Sequence, residues 1–139
     1  MKKLFTLFTA FLFTLFCGAQ NLVPNPSFED TIRCGDGAGW FGNVAQWHEI
    51  NTAEYFNTCD GSVPNTPAGF QYPVSGNAFV GFITRANGSL FTNFREYIGV
   101  ELINPLTVGQ KYFIKLHVSL SANPTPQCET NNIGALFSN

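Results

Sequence analysis

QKYFIKLHVSLS, residues 110–121, alternates without a break: Tyr112, Ile114, Leu116, Val118 and Leu120 fall on one side, and Lys111, Phe113, Lys115, His117 and Ser119 on the other. Strict period-two patterning over this length predicts a β-strand with one buried and one solvated face. Upstream, FREYIGVELINPL (94–106) puts Phe94, Glu96, Ile98, Val100 and Leu102 on one face by the same period. The intervening NPLTVG carries Pro105 and Gly109, which suit a hairpin connection. NAFVGFIT (77–84) reads as another strand, with Gly81 at a bulge or a close approach. NNIGALFS (131–138) reads as a further one.

Working toward the N-terminus, the pattern loosens. Residues 31–75 read as irregular, punctuated by GDGAG (35–39), CDGSVPNTPAG (59–69) and YPVSGN (72–77). Asp36 and Asp60, each followed by glycine, are turn residues. NLVPNPSFED (21–30) reads as an edge strand or the lead into one, since Pro24 and Pro26 remove backbone donors and forbid a helix interior. No internal repeat or heptad pattern interrupts this series, so the expected class is all-β. A sheet with an unpaired inner edge is aggregation-prone, and a chain that stops on a strand is therefore expected to continue past Asn139.

The first twenty residues, MKKLFTLFTAFLFTLFCGAQ, have the form of an export signal: Lys2 and Lys3, an apolar Leu4–Phe16, then Cys17-Gly18-Ala19 before Gln20. A lipoprotein site at Cys17 would want a small residue where Phe16 stands, and a retained anchor is disfavoured by the small-residue site and the polar, Pro-containing sequence that follows. Residues 1–19 are thus expected to leave, and residues 20–139 to form one domain. The mature charge balance is five basic against nine acidic residues, or −4, because Lys2 and Lys3 depart with the signal. Such a chain has no electrostatic footprint for nucleic acid or for anionic membrane, and no direct membrane insertion of the mature chain is expected. Ten of the 15 phenylalanines follow the signal, with Trp40, Trp47 and four tyrosines, enough to fill a small core without helices.

Cys34, Cys59 and Cys128 remain after processing. In an oxidising compartment Cys34 and Cys59 are the expected disulfide, both lying in Gly- and Asn-rich loop sequence with a loop of ordinary length between them. Cys128 is then free, bonded to a cysteine beyond Asn139, or a substitute for one of the pair. The spacing suits no metal site.

NLVPNPSFED resembles the first strand of carbohydrate-binding-module-like jelly rolls of the galactose-binding type, and LINPLTVGQKYFIKLHVSLS (102–121) resembles the hairpin that introduces their long alternating strand. YFNTC (55–59), VPNTPAGFQYPVSGNAFVG (63–81), REYI (95–98) and NNIGALFS (131–138) resemble a narrower group: the amino-terminal modules of secreted and surface proteins from gliding bacteria that use the type IX export route, often joined to gliding-motility-type sorting domains or OmpA-like domains. The likeness implies a jelly-roll β-sandwich incomplete at its C-terminal end. It also implies export to the outer surface of a Gram-negative bacterium or to its secretions, and further domains of the same protein.

The expected role is a non-catalytic binding or adhesion module directed at a glycan or surface polysaccharide. Its alternatives are a structural spacer and an enzyme acting on polysaccharide. A sugar site needs exposed aromatic rings with amides or carboxylates beside them, and Trp40, Trp47, Tyr55, Gln71 and Tyr72 are the candidates, with Trp47 the one most suited to the core because it follows the strand-like FGNVAQ run. Glu29 sits where related jelly rolls often place a carboxylate ligand of a structural calcium, which would need six or more oxygens, drawn from backbone carbonyls, Asp30 or groups of a last strand beyond Asn139. His48 and His117 make no catalytic constellation, and Glu54, Glu96 and Glu101 are candidates for glycoside hydrolysis by residue type alone.

Overall fold

The computed structural model describes residues 20–35, 39, 41–86, 92–122 and 133–138. Six short strands are present: β1 (Trp47–Ile50), β2 (Glu54–Asn57), β3 (Asn65–Thr66), β4 (Gly69–Phe70), β5 (Ala78–Gly81) and β6 (Tyr97–Val100). They form three antiparallel two-stranded ladders, β1 with β6, β2 with β5 and β3 with β4. The pairing is nested, so the chain runs out through β1, β2 and β3 and returns through β4, β5 and β6 like one long hairpin. The class is all-β.

The β2–β5 ladder is the best packed. Tyr55 opposes Val80 and Asn57 opposes Ala78 on one face, while Phe56 opposes Phe79 on the other. Tyr55 and Phe56 are 2% and 1% exposed, so this strand is covered on both sides. That is why its sequence, EYFN, shows no alternation. Of the two readings of Gly81, a bulge or a close approach, the second holds: a Cβ there would meet the Phe56 ring at 2.9 Å. The main core gathers Phe41, Val44, Ala53, Tyr55 and Ala78, with Phe28, Trp47, Val80 and Ile98 against it. Ile98 and Val100 of β6 lie on the inward face that the period-two reading assigns them, and Tyr97 faces out.

Several expected elements differ. NLVPNPSFED is a turn. The Asn25 side chain, buried, donates from Nδ2 to the carbonyls of Asp30 and Ala45 and accepts from the Asp30 amide, closing the chain on itself. Asn25 and Phe28 have φ of +42° and +62°, incompatible with a strand. FGNVAQ is a 3-10 turn at Phe41–Asn43, and Val44 then makes an isolated bridge to Thr31. The 31–75 stretch read as irregular contains four of the six strands, each of two to four residues and too short to express a period.

The largest difference concerns the opening motif. After a turn at Thr107–Gln110, with Gly109 at φ +82°, residues 110–122 carry no ladder partner among the described residues. Ile114, Leu116, Val118 and Leu120 are 55–63% exposed, against 98% for Phe113. Residues 133–138 are likewise exposed and outside any strand. Alternation records a preference for extended backbone with one covered face, whereas a ladder needs a second strand to present its amides and carbonyls. The segment is instead tied to the β3–β4 hairpin by hydroxyls, Ser119 Oγ to Gln71 Oε1 at 2.9 Å and Ser121 Oγ to the Ala68 carbonyl.

Candidate functional site

The nested topology places the β3–β4 hairpin at the turning point of the chain. Thr66 shapes its tip, accepting from the Ala68 amide and donating to the Gly69 carbonyl through the same hydroxyl. Phe70 and Tyr72 leave it two residues apart, on the same side, with ring centroids 5.2 Å apart and planes at 89°. Both rings are open to solvent, 56% and 60% exposed. Gln71 turns away from them: its amide nitrogen donates to the Tyr72 carbonyl at 2.6 Å, and its oxygen accepts from Ser119. Its backbone amide donates to the Pro64 carbonyl at 2.8 Å. Gln71 therefore fixes the hairpin exit against the 110–121 segment while the aromatic pair projects outward.

The other residues expected at a sugar site have separate positions. Tyr55 is in the core, its hydroxyl donating to the Phe28 carbonyl at 2.9 Å and accepting from Asn57 Nδ2 at 2.7 Å. Burial, the largest influence, drives its phenol pKa upward by more than hydrogen bonding with Asn57 and Thr31 lowers it. A ring so enclosed has no face to offer a ligand. Trp47 is half-buried, packed on Phe28 at 4.9 Å, with Nε1 donating to the Asn25 carbonyl at 3.0 Å. It holds the N-terminal turn on β1, in keeping with the core role suggested by its sequence context. Trp40 and Cys128 lie outside the described residues, as do residues 1–19. Of the four candidates among the described residues, Trp47 and Tyr55 pack in the core while Gln71 and Tyr72 lie at the hairpin exit, and Phe70, absent from that set, is the partner of Tyr72. Its signal was the F-x-Y spacing after Gly69, which puts both rings on one side of extended backbone.

The carboxylates are engaged in structure. Glu29 Oε1 accepts from the amides of Asn77 at 2.8 Å and Ala78 at 3.0 Å, and Oε2 from Asn77 Nδ2 at 3.4 Å. This bridges the N-terminal turn to the start of β5. Gly76, at φ +68°, passes so close that a Cβ would collide with the carboxylate. A calcium cage needs those oxygens for the ion, and among the described residues no group of three His, Cys, Asp or Glu side chains is placed to hold a metal. In this structure the Glu29 oxygens are taken up by the Asn77 and Ala78 groups.

Glu96, 5% exposed, accepts from the Thr52 hydroxyl and the Ile83 amide, and its own amide donates to the Ile83 carbonyl. Glu49 and Glu54 lie near it, and both have carboxyl pKa values raised first by burial and then by the charge of Glu96. Glu101, His48 and His117 are exposed. The Glu96 oxygens, at the approach of β6, are spent on the Thr52 hydroxyl of the β1–β2 corner and the Ile83 amide just after β5.

Cys34 and Cys59 form the expected disulfide, with Cα atoms 5.9 Å apart. The bond anchors the loop after the N-terminal turn to the 3-10 turn Thr58–Asp60, which Asn57 caps by accepting from the Cys59 amide. Among the described residues no helix is long and apolar enough to cross a membrane.

Comparison with protein-family models, curated proteins and solved structures returned no match.

Proposed function

We propose that the chain is an exported, non-catalytic binding module of jelly-roll architecture that holds a glycan at the surface of a Gram-negative bacterium or in its secreted material. One observation carries the reading: Phe70 and Tyr72 stand exposed and in contact on a hairpin that Gln71 and Thr66 fix in place. Sugars present apolar C–H faces that stack on such rings, and an exposed aromatic pair on a hydrogen-bonded hairpin suits that contact. The nested pairing of β1–β6, β2–β5 and β3–β4 supports the jelly-roll assignment, because that architecture is a long antiparallel hairpin rolled upon itself. The signal-like first 19 residues support export, and the likeness to modules of type IX-exported, gliding-associated proteins supports the surface location.

The test is a soluble-glycan array probed with the purified protein, followed by the Phe70→Ala and Tyr72→Ala variants. Saturable binding that both substitutions weaken, with an unchanged near-UV dichroism spectrum from the Trp47–Phe28 core contact, is the expected result. Silence across the array would remove the glycan reading. Turnover of any polymer, abolished by replacing a single Glu or Asp, would remove the non-catalytic one.

A second reading, a spacer without a ligand of its own, is favoured by the row Ile114, Leu116, Val118 and Leu120, which is open to a neighbouring strand. It predicts that the array stays silent while strand-forming peptides protect the 110–121 amides from exchange.

A further inference from the structure

Residues 110–122 run without a turn or a bend, and none of them has a positive φ. The stretch is pinned at both ends. At one, the Gln110 amide donates to the Thr107 carbonyl at 3.2 Å, and the Tyr112 hydroxyl accepts from the Thr107 amide and donates to Gln110 Oε1, each at 2.8 Å. At the other, Ser119 Oγ donates to Gln71 Oε1 and Ser121 Oγ to the Ala68 carbonyl. Between these anchors residues 113–118 are exposed, and their backbone makes no hydrogen bond to the described residues. The segment has thus already given up much of the freedom that a coil loses on pairing, while its amides and carbonyls stay open to another strand.

The side chains say what that strand must present. Ile114, Leu116 and Val118 are 55–63% exposed, so the residues that lie opposite them in a ladder are apolar. Lys111 and Lys115 stand exposed on the other face, four residues apart. Opposite charges across a ladder stabilise it and like charges oppose it, so a strand that fits carries two carboxylates at the same spacing. Apolar residues at alternate positions with acids four apart form a pattern that reads the same in both directions, and it holds for parallel and antiparallel pairing alike. A second copy of residues 110–121 offers no carboxylate in any register, and in parallel register it sets each lysine against itself.

We infer that residues 111–118 form a docking edge for an extended segment of a partner protein that alternates apolar residues with carboxylates four residues apart. The inference rests on the strand contact of the spacer reading and is independent of the glycan one. Amide exchange of the purified protein is followed with the blocked peptide Thr-Val-Glu-Val-Thr-Val-Glu-Val-Thr, and with the same peptide carrying lysine for both glutamates. The expected result is protection of alternate amides across residues 112–118, as strand addition requires, and an affinity about three- to tenfold tighter for the glutamate peptide. That preference should shrink at high salt and reverse in the double variant Lys111→Glu, Lys115→Glu, whose exposed positions leave the near-UV spectrum of the core unchanged. Equal protection by the two peptides would overturn the acidic partner and leave the strand edge standing. Protection by neither would overturn the edge itself. Protection that appears without peptide and grows with protein concentration would make a second copy the occupant and overturn the inference.

Discussion

Replacing Glu29 tests whether its carboxylate is a structural acceptor. In the folded chain Oε1 takes two backbone amides, and these differ in environment: Asn77 is exposed, whereas Ala78 is 4% exposed at the first position of β5. On Glu29→Ala the Asn77 amide recovers a water at small cost, so most of the loss comes from the Ala78 amide. An unsatisfied buried donor costs about 1–3 kcal/mol, and adding a few tenths for Asn77 puts the substitution at about 2 kcal/mol. Glu29→Gln keeps the shape and one acceptor oxygen, gives up the charge-assisted part of both bonds and turns an amide toward Asn77 Nδ2, for about 1 kcal/mol. In a domain of this size each kcal/mol moves Tm by about 3–6 °C, so Glu29→Ala is expected to melt about 6–12 °C lower and Glu29→Gln about half as far. Calorimetry measures the shift, and amide exchange locates it, with protection lost first at Asn77 and Ala78. A Gly76→Ala background adds a sharper check. Its Cβ collides with the carboxylate, so its cost should shrink when Glu29 is already alanine, leaving only the strain at φ +68°. A Glu29→Ala protein melting within 1–2 °C of the parent, a range far below the shift derived from the buried amide, would refute this reasoning. So would a calcium-dependent rise in Tm that Glu29→Gln abolishes, which would return the carboxylate to a metal.

Three further outcomes are expected. Gly81→Ala puts a methyl 2.9 Å from the Phe56 ring and should destabilise by about 1–3 kcal/mol, read as a lower denaturant midpoint with an unchanged slope. Opening the Cys34–Cys59 bond, by reduction or by Cys34→Ser with Cys59→Ser, releases a loop closed over a separation of 25 residues and should cost about 3 kcal/mol; equal melting with and without reductant would contradict it. Glu54 has its folded-state pKa raised above 4.5 by burial and by Glu96, so the folded chain holds that proton more tightly than the unfolded chain. Its effect on stability is therefore most favourable in acid and is lost as pH rises from about 4.5 through the raised pKa. Glu54→Gln should accordingly gain stability over the parent at neutral pH, with the gap closing toward pH 4.5; a gap that widens in acid would reverse the assignment.

Composition and local chemistry by themselves pointed to the all-β class, made Cys34–Cys59 the first choice among the pairings open to three cysteines, marked Gly81 as a bulge or a close approach and set the inward face of β6, because each depends on residue type, on local sequence or on a period of two. Tertiary structure alone decided the rest. EYFN is covered on both faces and so has no alternation to read, which hid the best-packed strand inside a stretch that looked irregular. Tyr55 and Tyr72 are the same residue type, yet one is enclosed by the fold and the other stands clear of it, since burial is set by what the rest of the chain brings near. Glu29 found amides 48 and 49 residues away, a partner no spacing rule could name. The plainest pattern in the sequence, residues 110–121, settled its own extended preference and nothing about its neighbour. A strand's alternation is local, but its hydrogen bonds belong to whichever strand lies beside it.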